Sequence, residues 1–295
     1  MITIVMMTWK EMLRKRVMTL SLVMSAVFLI AFWFVARAIG KDMTYGIGAL
    51  DQNSIAVLLG RFQQGAMTLS LGFFFGSFVI AFLAIFSSVA VVAGEAEQGV
   101  LQALLPRPLA RWRWFLGRWL GYVSLGIIYA ALLFGSILAI TQAHSTVPGD
   151  FISLTKSFVL FAFVVPLLVS VAMLGSCFFS ALGNGVFMVM LFGAGWLGGM
   201  IEKVSSIGIV SEDTFKPLQT ISGLMSIVMP VDSLQRRMLA EMFSLKDLQG
   251  LTGADDFLGF FGLNQIPSNT FLVYAVCYTL FALLLGMFIF RRKDL

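Results

Sequence analysis

The chain has 295 residues, of which 59% are hydrophobic and 12% charged, with a net charge of +5. With glycine counted and tyrosine left out, roughly two-thirds of it is apolar, against ~45–50% in a soluble domain, whose charged fraction is ~25%. These values exclude an ordinary soluble protein and a disordered one, and they fit an all-α polytopic membrane protein whose basic residues flank apolar stretches and set topology; no nucleic-acid partner is expected.

The first 16 residues form an element of their own. Ile2, Val5, Met6, Trp9, Met12 and Leu13 fall on one helical face, while Lys10, Glu11, Arg14 and Lys15 face away. This pattern predicts an in-plane amphipathic helix with Trp9 at headgroup depth. Residues 17–38 follow as the first apolar stretch. Ala36-Arg37-Ala38 mimics a signal-peptide cleavage site, but an apolar part of ~20 residues exceeds the 7–15 of a signal core, so a retained span is expected.

Five more stretches are long enough to cross a bilayer, roughly 67–93, 114–140, 157–182, 184–201 and 270–290; a crossing takes ~20 helical residues. Their connectors are 39–66, 94–113, 141–156, a tight Gly183-Asn184 turn and a long segment 202–269. With the N-terminus inside, the cytoplasmic segments carry a net +7 and the outer ones −2. The positive-inside rule therefore predicts both termini in the cytoplasm of a multi-pass protein of the cytoplasmic membrane.

The second span carries Phe75, Phe78, Phe82 and Phe86 at helical spacing. Such a stripe faces lipid, packs against another helix, or lines an apolar pathway; Phe75, Phe78 and Phe82 are the candidates for the pathway. Glycine pairs at Gly72/Gly76, Gly117/Gly121 and Gly195/Gly199 allow close helix approach. The 17 methionines read as adaptable packing. Cys177 and Cys277 lie in apolar runs and read as small hydrophobes; with the single His144 they make no metal site.

The loop after the second span, 94–113, reads as a short helix parallel to the membrane. Glu95 and Glu97 suit its N-terminal dipole end. Leu101, Leu104 and Leu105 supply an apolar face, and Pro106 and Pro108 end it. Trp112, Trp114 and Trp119 alternate with Arg111, Arg113 and Arg118 at the interface. A surface helix offering leucines and charges to the cytoplasm is a docking element.

In the long segment before the last span, 218–229 is apolar and lies between Pro217 and Pro230. Twelve helical residues cover ~18 Å, too little for a ~30 Å core, so a re-entrant or interfacial segment is expected. Asp232 or Ser233 then caps an amphipathic helix on the outer face or over the bundle, with Leu234, Met238, Met242, Leu245 and Leu248 inward and Arg236, Arg237 and Lys246 on the surface. The Gly- and Phe-rich stretch 250–263 ends an extracytoplasmic segment expected to cap an exit pathway.

Several classes lose their support. Arg118 is the lone charge within a span, near its cytoplasmic end, whereas ion-coupled carriers need ionisable groups at membrane depth. There is no metalloprotease motif or aspartate pair in the spans, and no GxxxxGK[ST] to cradle ATP phosphates. A transporter of this composition draws its energy from a partner.

Three motifs together carry a family resemblance. Glu95, Glu97, Gly99, Leu101, Leu104, Leu105, Arg107, Pro108 and Arg111, followed by Gly117-Arg118-Trp119-Leu120-Gly121, resemble the E-x-E-x-G-T-L-E-x-L-L-(x)-R-P-(x)-R … G-K-x-L-G signature of ABC-2 type ABC transporter permeases. Val100, Gln102 and Arg118 depart from it, at the places of Thr, Glu and Lys. Trp9-Lys10-Glu11-Met12-Leu13-Arg14-Lys15-Arg16 resembles the family's N-terminal connecting helix, and Phe290-Arg291-Arg292-Lys293-Asp294-Leu295 its C-terminal ending.

The resemblance implies a six-span subunit paired with a second copy or a related permease and with two separate ABC ATP-binding subunits. It also implies that this chain holds no cofactor, ATP and Mg being bound by the partner ATPase. Glu95, Glu97, Gly99, Leu101, Leu104, Arg107 and Arg111 would then couple to the ATPase; Trp9, Lys10 and Arg14 would mark the interfacial helix; the second span would contribute to a cavity between subunits. An exporter of a lipophilic or amphipathic substrate is the expected function, with no catalytic residue in the chain. The alternative is a membrane anchor or signalling scaffold using the same helix to hold a cytoplasmic partner. An ion-coupled carrier requires His144 or Asp150 in a cavity.

Overall fold

The computed structural model describes residues 1–14, 16–47, 55–97, 110–145, 147, 149–206, 212–243 and 266–292. Ten helices lie among them: α1 Ile2–Arg14, α2 Arg16–Ile47, α3 Ile55–Ser88, α4 Ala93–Glu97, α5 Arg111–His144, α6 Phe151–Gly175, α7 Ala181–Ser206, α8 Glu212–Val228, α9 Val231–Met242 and α10 Asn269–Arg292. There is no strand among the described residues. Among the described residues, six segments are long and apolar enough to cross a membrane: Arg16–Lys41, Gly60–Glu95, Arg111–His144, Phe151–Gly175, Ala181–Lys203 and Asn269–Arg292. The protein is an all-α, multi-pass membrane protein.

Helix α6 is the hub, packed against α3, α5, α9 and α10. Phe161, Val165, Leu167, Leu168 and Ala172 are buried around its circumference, as expected of a helix apolar on all sides. Asp150 starts it: its carboxylate accepts from Ser153 Oγ at 2.7 Å, Ser153 N at 3.1 Å and Ile152 N at 3.2 Å. These bonds, that from the Ser153 hydroxyl foremost, hold the Asp150 carboxyl below the usual carboxylate range. Pro166 sits inside the helix and is tolerated because neighbouring helices surround the freed backbone.

All three glycine pairs lie at close contacts. A Cβ on Gly72 would meet the Phe32 ring of α2 at 2.7 Å, one on Gly76 would meet Ile137 of α5 at 2.9 Å, and one on Gly195 would meet the Met229 carbonyl at 2.7 Å. Gly135, also in α5, faces open space.

Two expectations are corrected. The reversal between the fourth and fifth spans falls at 176–180, and Gly183 and Asn184 belong to α7. Gly-Asn is a turn signal in water. Here the Asn184 amide is buried and donates to the Val89 carbonyl at 2.7 Å and the Ala172 carbonyl at 2.8 Å, serving acceptors at the ends of α3 and α6 that no water reaches. The second correction concerns α9. Pro230 precedes it with no side-chain cap, and Arg236 and Arg237 are buried, not on the surface. Arg236 pairs with Glu202 and Asp232, and Arg237 with Glu241; Arg237 also donates to the Pro267 carbonyl and Asn269 Oδ1 at 2.8 Å. Paired charges tolerate burial that single ones do not.

Helix α8 runs back along α7, with Ser222 Oγ donating to the Gly198 carbonyl at 2.7 Å. It ends beside Gly195, where Tyr274 and Tyr278 of α10 donate to the Ile227 and Val228 carbonyls at 2.6 and 3.0 Å. Helix α9 then leads away towards the start of α6, where Ser157 Oγ donates to the Met238 carbonyl. The α8–α9 pair is thus a hairpin that enters the bundle and leaves by the end opposite the termini. Lys246 and the stretch 250–263 lie outside the described residues.

Gly121→Val should destabilise the purified protein by about 1–3 kcal/mol through overpacking, whereas Gly135→Val should be close to neutral; thermal unfolding in detergent compares them. Asp150→Ala should lower the melting temperature at neutral pH. Because the folded-state pKa of Asp150 is depressed, its contribution is present above the unfolded pKa and lost as pH falls through the folded one, so mutant and wild type should converge in acid.

Candidate functional site: a buried ion clasp at the termini

The sequence motifs meet at one end of the bundle. Helix α1 lies on α5 through a small-residue socket. A Cβ on Gly117 would sit 2.9 Å from Ile4 Cγ2, and one on Gly121 would sit 2.6 Å from Thr8 Cβ. Ile4 and Thr8 are four residues apart, as are the two glycines, so one ridge fills one groove. Trp9 Nε1 donates to Ser124 Oγ at 2.9 Å, a turn further along α5. Helix α1 therefore presents two faces. Thr8 and Met12 are buried, whereas Ile2, Met6 and Leu13 are exposed, as are Lys10 and Arg14. The expectation that Glu11 faces away is corrected: it turns inward to a cation.

That cation is Arg118, which lies between the two socket glycines and is 3% exposed. Its Nη1 pairs with Glu11 of α1 and its Nη2 with Glu95 of α4. Nη1 also lies 3.4 Å from Thr8 Oγ1, and the guanidinium stacks over Trp114 at 5.6 Å. Glu95 is buried, and beyond this ion pair its carboxylate has no hydrogen-bond partner among the described residues. One guanidinium therefore pairs with two carboxylates from segments 107 and 23 residues away in sequence. Arginine suits this place because its planar fork offers two divergent donor edges and stays charged when buried.

The remaining contacts fasten the neighbours. Ser176 Oγ, in the 176–180 reversal, accepts from Val92 N and Ala93 N, both at 2.9 Å. Glu97, exposed, accepts from Ala181 N at 3.3 Å and so sits at the N-terminus of α7, where the helix dipole favours an anion. Arg111 Nη1 lies 3.3 Å from the Arg291 carbonyl, and Phe290 stacks on Trp114 at 5.1 Å and packs against Phe115 at 5.7 Å. Glu95, Glu97 and Arg111 are thus brought to one end with α1 and the end of α10. Gly99, Leu101, Leu104 and Arg107 lie outside the described residues.

The aromatic stripe of α3 is divided. Phe78 packs against Phe192 and Trp196 of α7, both at 5.6 Å. Phe82 stacks on Phe86 at 5.8 Å, and Phe75 and Phe86 are exposed. Asp150 is fully exposed at the start of α6, and His144 Nδ1 lies 3.0 Å from the Ile140 carbonyl within its own helix.

Sequence reasoning isolated Arg118 as a charge within a span but missed its partners. The glycines on either side were the available signal, since they admit the backbone of a second helix beside the charge.

The family model described as ABC-2 family transporter protein matches residues 3–295. No curated protein matches the chain.

Arg118→Gln should cost about 3–5 kcal/mol, the usual result of leaving buried charge uncompensated. The triple variant Glu11→Gln, Glu95→Gln, Arg118→Gln should recover most of it. Unfolding midpoints of the three single variants and the triple give the coupling energy; simple additivity would mean that the clasp contributes nothing as a unit.

Proposed function

The chain belongs to the ABC-2 transporter family and is a membrane permease subunit of an ABC transporter, and from that premise we propose that it works in an ATP-driven exporter of a lipophilic or amphipathic substrate. Two ABC ATP-binding subunits dock on the segment 94–113 and bind the ATP and Mg. A second copy or a related permease completes the membrane unit. The charge asymmetry supports cytoplasmic termini in the cytoplasmic membrane.

The observation that carries this reading is the Arg118 clasp. A docking loop transmits force only if it is tied to the spans, and Glu95 ties its first turn to α5 and α1 through one buried cation. Glu97 and Ser176 fasten the same turn to the start of α7 and to the α6–α7 reversal. When the ATPases close, a push on this loop moves α1, α5 and the α6–α7 reversal together. Glu95 and Glu97 thus take different parts: Glu95 turns inward to transmit, while Glu97 is exposed towards the partner. Lys10 and Arg14 lie where lipid phosphates pair with them, and Ile2, Met6 and Leu13 enter the acyl boundary. Phe75, Phe78 and Phe82 are the proposed apolar wall of the pathway, with Trp196 opposite Phe78.

Co-purification with the ATPase and transport in proteoliposomes test this. Glu95→Gln should leave the ATPase bound and hydrolysing while lowering transport per ATP severalfold; Glu95→Ala with Glu97→Ala should weaken docking as well. Intact coupled transport in the double variant, or a native membrane extract holding no stoichiometric ATP-binding protein, would overturn the assignment.

A further inference from the structure

A second cluster of charge lies in the bundle at the opposite end, beside a cavity of about 290 Å³ between α3, α7 and α9. Its wall includes Ser70, Phe74, Met200, Lys203, Gln235 and Arg236. The charges around it are Lys203, Arg236, Glu202 and Asp232. Lys203 Nζ lies 3.3 Å from Asp232 Oδ1, and Arg236 Nη2 lies 2.7 Å from Glu202 Oε2 while its Nε lies 3.1 Å from Asp232 Oδ2. The cluster is therefore neutral overall, yet unevenly turned: both cations line the cavity, and neither carboxylate is among its described lining residues.

The donors are incompletely used. Arg236 is 3% exposed; its Nη2 meets Glu202 and Ser233, but its Nε, although 3.1 Å from Asp232 Oδ2, has no hydrogen-bond partner among the described residues. Ser70 is equally buried, and its hydroxyl has no hydrogen-bond partner among the described residues. Burying polar groups unpaired is costly, and both lie on this one cavity. The rest of the wall is apolar: Phe74, which lies under Lys203 at 5.2 Å, together with Met200 and two leucines. A guanidinium edge and a hydroxyl inside an apolar wall suit an anionic head joined to a hydrocarbon tail.

We propose that this cavity binds the anionic head of an amphiphile, a carboxylate or a phosphate ester, with Arg236 and Ser70 donating to its oxygens and Phe74 and Met200 packing on the start of its tail. The carboxylates behind Arg236 and Lys203 fix the cations in place and limit their attraction, so the head is held by directed hydrogen bonds more than by net charge and is able to leave again. This deepens the transport reading by naming a substrate class; it rests on that reading for transport but not for binding.

The test uses the full chain in nanodiscs of zwitterionic phosphatidylcholine, without ATPase. The probes are diazirine-bearing oleic acid, phosphatidic acid and oleyl alcohol, and labelled peptides are mapped by mass spectrometry. At least one of the two anionic probes should label the α7 and α9 peptides around Met200 and Arg236 about tenfold more than the alcohol, the scale of a charge-assisted hydrogen bond. Preference for the fatty acid would identify a free carboxylate, and preference for phosphatidic acid a phospholipid. Met200→Trp, which fills the cavity and leaves every charge in place, should reduce labelling to background. Ser70→Val, a smaller change, should lower it severalfold if the tryptophan variant does not assemble. Equal labelling by the alcohol, no labelling by either acid, or labelling unchanged in the variants would overturn the proposal. None of these results bears on ATPase docking, and failure of docking would leave the labelling intact.

Discussion

Arg118 cannot be buried by itself, and much of the architecture at the termini follows from that. A guanidinium at 3% exposure in an apolar bundle requires carboxylates with it, and no acid lies near enough on α5. Glu11 arrives only if α1 lies flat on α5, which needs Gly117 and Gly121 to admit Ile4 and Thr8. Glu95 arrives only if α3 ends and the chain turns at 89–92, which in turn draws on Ser176 and Asn184 to satisfy the freed backbone. The clasp, the socket and the reversal between α6 and α7 are consequences of one another.

The opposite end solves a similar problem differently. There the charges come in balanced sets on α7 and α9, with Gly199 allowing Asp232 to approach between Lys203 and Arg236. The hairpin α8–α9 is held by these pairs and by the tyrosines of α10. Between the two polar ends the bundle is held by apolar packing around α3 and α6. An assembly of this form is suited to passing a displacement along helices, since its ends are fastened by specific pairs and its middle is a close-packed solid.

Hydropathy made the six spans legible, because twenty apolar residues in a row have few other uses. It also showed that residues 2–14 are amphipathic, but not which face docks. Lipid and protein both accept apolar side chains, and the ridge that enters the socket includes Thr8, a polar residue that no apolar stripe would include. Asn184 was misleading because a turn signal calibrated in water takes on a different role where carbonyls have no water. Arg236 and Arg237 were misleading because charge implies solvent until partners are known, and the partners of Arg236 include Glu202, 34 positions away. What the sequence hid was in each case a pairing between distant polar groups.

The central claim is that Arg118 makes α1, the 93–97 turn and α5 a single mechanical unit. Hydrogen exchange followed by mass spectrometry, on the permease in lipid nanodiscs, tests it most directly. In Arg118→Gln, exchange should rise together in residues 2–14 and 88–97, with 212–243 unchanged. A rise in one of these segments without the other, or in neither, would contradict the account.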